Sequence, residues 1–205
     1  MKWLVDFLQN SLESETLVPN RTRLKPSVPS FARFLVFLTI LSSALLSSNL
    51  STLYKFYEKQ EYDRGCDYAM KHFNKNRKNE KYLTLYGLTC LETDNIHRIA
   101  TPMIILKETK ESRENASYFA TILLQKQLLK QALLDEKALG DLNLPKTNFL
   151  LSKIFSMFVN KKYALKDGVY KLEDGDKKYQ LYIENKYLII DIYQNDKFTK
   201  RYRYK

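Results

Sequence analysis

Glycine and proline are scarce in this 205-residue sequence, at five residues each. Their scarcity argues against glycine-rich phosphate-binding loops and a loop-rich all-β architecture, and it favours long helices. Only two cysteines and two histidines, His72 and His97, are present, too few and too isolated to form a tetrahedral zinc site by themselves. The sequence also lacks a nucleophile elbow and a helical His-Glu-x-x-His motif. We therefore predict no catalytic centre, no metal site and no cofactor.

Charge is unevenly distributed along the chain. Hydrophobic residues make up 44% and charged residues 28%, a balance typical of a globular protein. The net charge is +11, and residues 197–205 carry five cations and no acid. This excess indicates an anionic lipid, an envelope polymer or a nucleic acid as a partner, or only a lysine-coated surface.

One long uncharged run is present, the thirteen residues 34–46. As a helix it would rise about 20 Å, short of the roughly 30 Å hydrocarbon core of a bilayer and typical of a signal-peptide core. Cations precede it without an intervening acid, which places its N-terminal side in the cytoplasm. These cations are Arg21, Arg23, Lys25 and Arg33. We predict a cytoplasmic tail (1–30) followed by a signal anchor or signal peptide (31–50).

Three interpretations of this segment remain open. If it is uncleaved, the protein is a single-pass inner-membrane protein with its C-terminal domain in the periplasm. If a peptidase cuts beside the small residues Ser47, Ser48 or Ser51, the protein is periplasmic. If 34–46 is instead a buried core helix, the chain stays in the cytoplasm.

The region 52–112 has a helical pattern that repeats after 34 residues. Ile96 follows Tyr62 by this distance, and Cys90 follows Phe56 by the same distance. The segments QEYDRGCDYAMKHF and LYGLTCLETDNIHRIA carry the small residues, turn and apolar positions of the repeat. They resemble tetratricopeptide repeats, which are stacked pairs of antiparallel helices.

The resemblance implies a helical domain over 51–165 that binds proteins through the groove of its stack. It also places Cys66 on the second helix of one repeat and Cys90 on the first helix of the next, and these two helices pack together. A disulfide between them is then sterically feasible and would contribute about 3.5 kcal/mol in the loop-entropy model. Two buried, unpaired thiols are the alternative.

Two further helices are predicted beyond the repeat, over 115–139 and 147–163, with Gly140 ending the first. Apolar residues recur at helical spacing in both. In the first they are Tyr118, Phe119, Ile122, Leu123, Leu129 and Leu133, and in the second Phe149, Leu150, Ile154, Phe155 and Phe158. We expect this pair to cap the helical stack.

The apolar period changes to two in the final segment, 166–205. Short runs at 169–172, 178–183, 187–193 and 197–204 are separated by turn-type residues. They predict an antiparallel meander of three or four strands with one face packed on the helices. The other face would carry the candidate partner-binding residues Tyr182, Tyr187, Tyr193, Lys200, Arg201 and Arg203. Such a face can bind a protein, stack single-stranded nucleic acid or simply face solvent.

The fold class that follows is mainly α, with a tetratricopeptide-like stack, a small antiparallel β-meander and one N-terminal membrane or signal segment. The expected function is that of a membrane-tethered or exported protein-binding scaffold, as in the accessory parts of secretion, pilus or flagellar assemblies. One alternative is an exported protein that adheres to an anionic envelope surface through its basic sheet. Another is a cytoplasmic nucleic-acid-binding adaptor.

Overall fold

The computed structural model describes residues 48–205, which form six α-helices followed by a five-stranded antiparallel sheet. The predicted tail (1–30) and nearly all of the predicted membrane or signal segment (31–50) lie outside the described residues. Of that segment, Asn49 and Leu50 begin the first helix. No helix within 48–205 has both the length and the apolar character needed to cross a bilayer.

Polar side chains determine where three of the helices begin. The helices are α1 (Asn49–Glu58), α2 (Tyr62–Asn76), α3 (Glu80–Leu91), α4 (Ala100–Ile105), α5 (Lys110–Leu134) and α6 (Leu150–Val159). The side-chain oxygens of Ser48, Asn79 and Thr109 each accept a hydrogen bond from the backbone N–H three residues further on, at 3.0–3.1 Å. Each thereby satisfies an N–H group that has no partner inside its helix.

The second helix that the repeat predicts after residue 95 is divided. Ile96–Ile99 form a 3-10 helix, and the six-residue α4 follows directly. Pro102 lies in the first turn of α4, where its missing N–H removes no intrahelical hydrogen bond. The proline therefore fits the start of an α-helix but not the interior of one long helix.

Helices α2 and α3 pack closely around one glycine and a disulfide. A Cβ atom on Gly65 would lie 2.6 Å from Cγ2 of Thr89, so α2 could not approach α3 this closely with a larger residue. The neighbouring Cys66 and Cys90 form a disulfide, with their Cα atoms 4.9 Å apart. The predicted pairing of the two cysteines is thus present, and the alternative of two free thiols is wrong.

The boundaries of the last two helices differ from those predicted. Helix α5 starts five residues earlier than expected, because Thr109 caps it. It also ends at Leu134 rather than at Gly140: Glu136 adopts a left-handed backbone with φ 52°, and Leu139 then packs against the core from a loop. In α6 the fully buried leucine is Leu151 rather than Leu150.

The sheet is a simple meander with strands in the order β1-β2-β3-β4-β5. Its strands are β1 (Ala164–Lys166), β2 (Val169–Asp174), β3 (Lys177–Glu184), β4 (Tyr187–Gln194) and β5 (Lys197–Tyr204). The prediction of three or four strands missed β1, which begins before the expected boundary at 166. Two-residue turns join all neighbouring strands and fix their register, and three of these four turns, such as Asn185-Lys186, have positive φ at both positions.

Helices α5 and α6 cover one face of the sheet, as the alternating pattern predicts. Leu172, Leu181 and Ile190 on that face are fully buried in the same core as the helices. Near the end of the chain, Nζ of the buried Lys126 on α5 donates a hydrogen bond to the Lys205 carbonyl at 2.7 Å. Burial lowers the pKa of this lysine. The opposite face of the sheet points away from the helices.

Candidate protein-binding surface

The side of β3–β5 that faces away from the helices carries an organised cluster of aromatic and charged residues. We call it the outer sheet face, and it consists of Tyr182, Tyr187, Ile189, Asp191, Tyr193, Phe198, Arg201 and Arg203. Strand register places them together, because directly paired residues share a face. Tyr182 pairs with Ile189 on β4, and Ile189 pairs with Arg203 on β5.

A hydrogen-bonded triad lies at the centre of this face. Nε and Nη2 of Arg201 donate to the two carboxylate oxygens of Asp191 at 2.7 and 2.8 Å, a bidentate geometry. The Tyr182 hydroxyl donates to Oδ2 of Asp191 at 3.0 Å and accepts from Nη2 of Arg201 at 2.8 Å. Burial, together with the hydrogen bond to Asp191, raises the pKa of Tyr182 to about 12. Asp191 is only 2% exposed, so the three side chains hold one another in a single arrangement.

A cation–π pair lies beside the triad. The guanidinium of Arg203 lies 4.1 Å from the centre of the Tyr187 ring, within the range of favourable interaction. Ile189 lies between these residues and the triad and is fully buried, although it is on the face away from the helices. The outer sheet face therefore has a small apolar centre of its own.

A third pair of side chains extends the face toward the β4–β5 turn. The rings of Tyr193 and Phe198 meet edge to face, with centroids 5.8 Å apart. Phe198 remains 55% exposed, which is unusual for so large an apolar side chain. An exposed aromatic residue that a neighbouring ring holds in position is well suited to bind a partner.

Five of the six residues predicted for this surface lie together on it, and Lys200 does not. Lys200 pairs with Ile192, so it points to the helix side of the sheet, where its Nζ lies 4.3 Å from the centre of the Tyr202 ring. Side chains alternate between the two faces along β5, so Lys200, Tyr202 and Tyr204 all point to the helix side of the sheet. Burial raises the pKa of Glu92 at the end of α3, and Lys200 partly offsets that shift. Lys200 thus belongs to the junction between helices and sheet.

Sequence reasoning missed Ile189, Asp191 and Phe198. An acid inside an apolar strand, as in the run LIIDIY, was the available signal for Asp191, because a strand acid needs a cation opposite it. The sequence does not specify which cation that is until the register of β5 is known. In the region that the structure describes, no group of three or more His, Cys, Asp or Glu side chains could hold a metal ion.

Comparisons with known proteins add no relative: no protein-family model, no curated protein and no solved structure matches the chain. The tetratricopeptide-like resemblance of residues 52–112 therefore stays a prediction.

Proposed function

We propose that this chain is a protein-binding scaffold of the cell envelope and that its partner binds the outer sheet face. The observation that carries this proposal is the fixed arrangement of Tyr182, Tyr187, Arg201 and Arg203 before any partner is bound. Tyrosine and arginine dominate the binding energy of many protein interfaces. Side chains that are already ordered lose less conformational entropy on binding.

The envelope location is the second part of the proposal. It rests on the uncharged run 34–46 with its preceding cations, and the Cys66–Cys90 disulfide supports it because disulfides persist in oxidising compartments. A tether at 31–50 would raise the local concentration of the scaffold for membrane-bound partners. The helices, which we propose to be tetratricopeptide-like, would support the sheet and add a second contact surface, as expected of an accessory part of an envelope assembly.

Photo-crosslinking in intact cells tests the proposal. A benzoylphenylalanine in place of Phe198 should capture a discrete protein, whereas the same probe at Ile104, which is 73% exposed on α4, should not. Arg203→Gln should reduce capture at position 198 about tenfold, because it removes the stack on Tyr187. Lys200→Gln is the matched control: it removes one cation from the same strand but on the other face, and capture should stay unchanged.

Adhesion to an anionic envelope surface is the second candidate, and the lone cations of β5 favour it. Lys197, Lys200 and Arg203 form no ion pair with any described carboxylate. In that case Arg203→Gln and Lys200→Gln would weaken binding to anionic vesicles equally, and binding would fall steeply with salt. Equal effects of the two variants, with no discrete crosslinked protein, would contradict the scaffold proposal.

A further inference from the structure

Strand β1 forms one edge of the sheet, and β5 forms the other. An apolar groove that is separate from the outer sheet face lies beside β1. We call it the β1 groove, an open cavity of about 520 Å³ between β1, the end of α6 and the loop after α5. Its apolar lining includes Leu133, Leu139, Phe158, Tyr163, Leu165 and Tyr170. The rings of Phe158, Tyr163 and Tyr170 lie 5.0–5.1 Å from one another, which gives the groove an ordered aromatic wall. Its volume is typical of sites that enclose a bulky side chain or small ligand.

The main chain of β1 presents free hydrogen-bonding groups beside this groove. The two-residue turn Asp167-Gly168 makes Lys166 and Val169 the hydrogen-bonded pair of the β1–β2 hairpin. The next pair, Leu165 and Tyr170, is then non-hydrogen-bonded, so the N–H and C=O of Leu165 point away from β2. Within residues 48–205 no other group hydrogen-bonds to them. The side chain of Leu165 is 57% exposed and lies on the groove side of the sheet.

Charge around β1 selects the kind of strand that could pair with it. Residues 161–166 include three exposed cations and no acid: Lys161, Lys162 and Lys166. None forms an ion pair with a described carboxylate. The loop on the far side of the groove adds one cation, Lys137, and two acids, Glu136 and Asp141, so the excess of cations lies on the side of β1. If a second copy of this chain paired through β1, the three cations of each copy would lie beside those of the other, and like charges across strands are destabilising. An acidic strand from a different protein would avoid this repulsion.

We propose that β1 receives an extended peptide from a partner protein. The peptide adds as a sixth strand, places an aromatic or aliphatic side chain in the β1 groove opposite Leu165, and carries one acidic residue opposite Lys166 and another near Lys162, just before β1. Main-chain hydrogen bonds supply affinity in this binding mode, and the pocket beside the strand supplies specificity. The site lies across the sheet from β5, so it is independent of the outer sheet face.

A peptide of defined register tests this site. In an antiparallel arrangement, the blocked, fluorescein-labelled peptide Glu-Phe-Thr-Val-Glu puts its phenylalanine opposite Leu165, its first glutamate opposite Lys166 and its last glutamate near Lys162, just before β1. Fluorescence polarisation with the full-length protein should show saturable binding. The same peptide with both glutamates replaced by lysine should bind about tenfold more weakly, because attraction becomes repulsion. Absence of binding at about 1 mM, the weak end of specific affinities, would overturn the proposal.

Leu165→Pro, compared with Leu165→Ala, separates strand addition from simple groove filling, because both variants remove the Leu165 side chain from the groove and only proline also removes the N–H. Proline removes the outward N–H, which does not bond to β2, and edge strands tolerate proline at such positions. Affinity for the peptide should fall about tenfold below that of Leu165→Ala, consistent with loss of a hydrogen bond and a clash with the added strand. The thermal midpoint should stay close to that of the original chain. Equal affinities of the proline and alanine variants would show that the peptide does not pair with β1.

Two further measurements keep the test decisive. Leu139→Asp puts a charge into the groove without altering β1, so it should abolish peptide binding even if Leu165→Pro folds poorly. Arg203→Gln should leave peptide affinity unchanged, because Arg203 lies on the outer sheet face. If instead the protein self-associates and Leu165→Pro abolishes that association, a second copy occupies the edge and the proposal is wrong.

Discussion

Glu80, in the first turn of α3, binds the start of α5 through its side chain. Its carboxylate accepts hydrogen bonds from the backbone N–H groups of Lys107 and Glu108, both at 2.9 Å, and of Thr109 at 3.2 Å. The hydroxyl of Ser112 donates a fourth at 2.7 Å. Burial by itself would raise the pKa of Glu80, but these four donors outweigh it and hold the pKa at about 2. The Glu80 side chain thus connects α3 to the long helix α5.

Glu80→Gln should lower the free energy of unfolding at neutral pH by about 1–2 kcal/mol, the usual contribution of hydrogen bonds to a charged group at a partly exposed site. The folded pKa lies below the ordinary value of 4.5. The contribution is therefore complete above about pH 4.5 and is lost as the pH falls toward 2. Urea unfolding between pH 2 and 6 should show a smaller pH dependence in the variant.

Glu114→Gln provides the control for this measurement. Glu114 lies on α5 and forms an exposed ion pair with Lys110, with 3.9 Å between Nζ and Oε1. Its replacement should leave stability nearly unchanged, because exposed pairs of this kind contribute little. Equal losses of unfolding free energy in both variants would mean that the loss comes from removing a negative charge near a helix N-terminus and not from the hydrogen bonds of Glu80.

Single residues were predictable where a local pattern constrains them. Alternation along β3 and β4 placed Tyr182, Tyr187 and Tyr193 on one face, and the structure agrees. The pairing of Asp191 with Arg201 depends on the register between β4 and β5, which includes a bulge beside Tyr193. No local pattern in the sequence specifies that bulge.

At the scale of elements, α3 and α5 pack through a glycine. A Cβ atom on Gly87 would overlap the Cε2 and Cζ atoms of Phe119, whose ring is fully buried and cannot move aside. Gly87→Ala should therefore destabilise the protein by about 1–3 kcal/mol, the typical result of overpacking, although alanine is the better helix former. Chemical denaturation of the variant measures this change.

The same position allows a double-mutant test. Phe119→Leu shortens the side chain that meets Gly87, so adding Gly87→Ala to this background should cost much less than it does alone. Additive effects of the two substitutions would show that the helices relax around the new methyl group and would contradict the close-packing explanation.

Element type was easier to predict than element boundaries. The apolar period identified α5, α6 and four strands, because each buries a regular face. The predicted end of α5 was wrong. Leu139 and Leu144 pack on the core from a loop, and apolar periodicity alone does not distinguish such a loop from a continued helix. Strand β1 was missed although Asp167-Gly168 is a strong hairpin signal, because three residues are too few to show alternation.

For the whole molecule, the disulfide closes a loop between α2 and α3 with a sequence separation of 24 residues. Replacing both cysteines by serine should reduce the free energy of unfolding by about 3.5 kcal/mol, mainly because the unfolded chain without the cross-link has more conformational entropy. Urea unfolding with and without reductant measures this directly. A midpoint that reductant does not change would show that the cross-link adds no stability.

The sequence predicts that helices pack on one face of the sheet, but it does not predict which helices these are. Alternation predicted that one sheet face packs on helices, and the structure confirms it. Which helices they are depends on contacts between distant residues. Lys126 and Lys205 are an example: they are 79 positions apart, and no pattern within either segment identifies the other.

The contact of Lys126 with Lys205 also sets the order in which the molecule can be completed. Tyr204 is fully buried and pairs with Leu188 at the edge of the sheet, only one residue before the carbonyl that Lys126 binds. During synthesis the helices emerge first, yet the ammonium group of Lys126 finds its acceptor only when position 205 has been added. The apolar contacts of α5 with β3 and β4 can form before that point, so the hydrogen bond between Lys126 and Lys205 is a late polar contact that joins the long helix to the last strand.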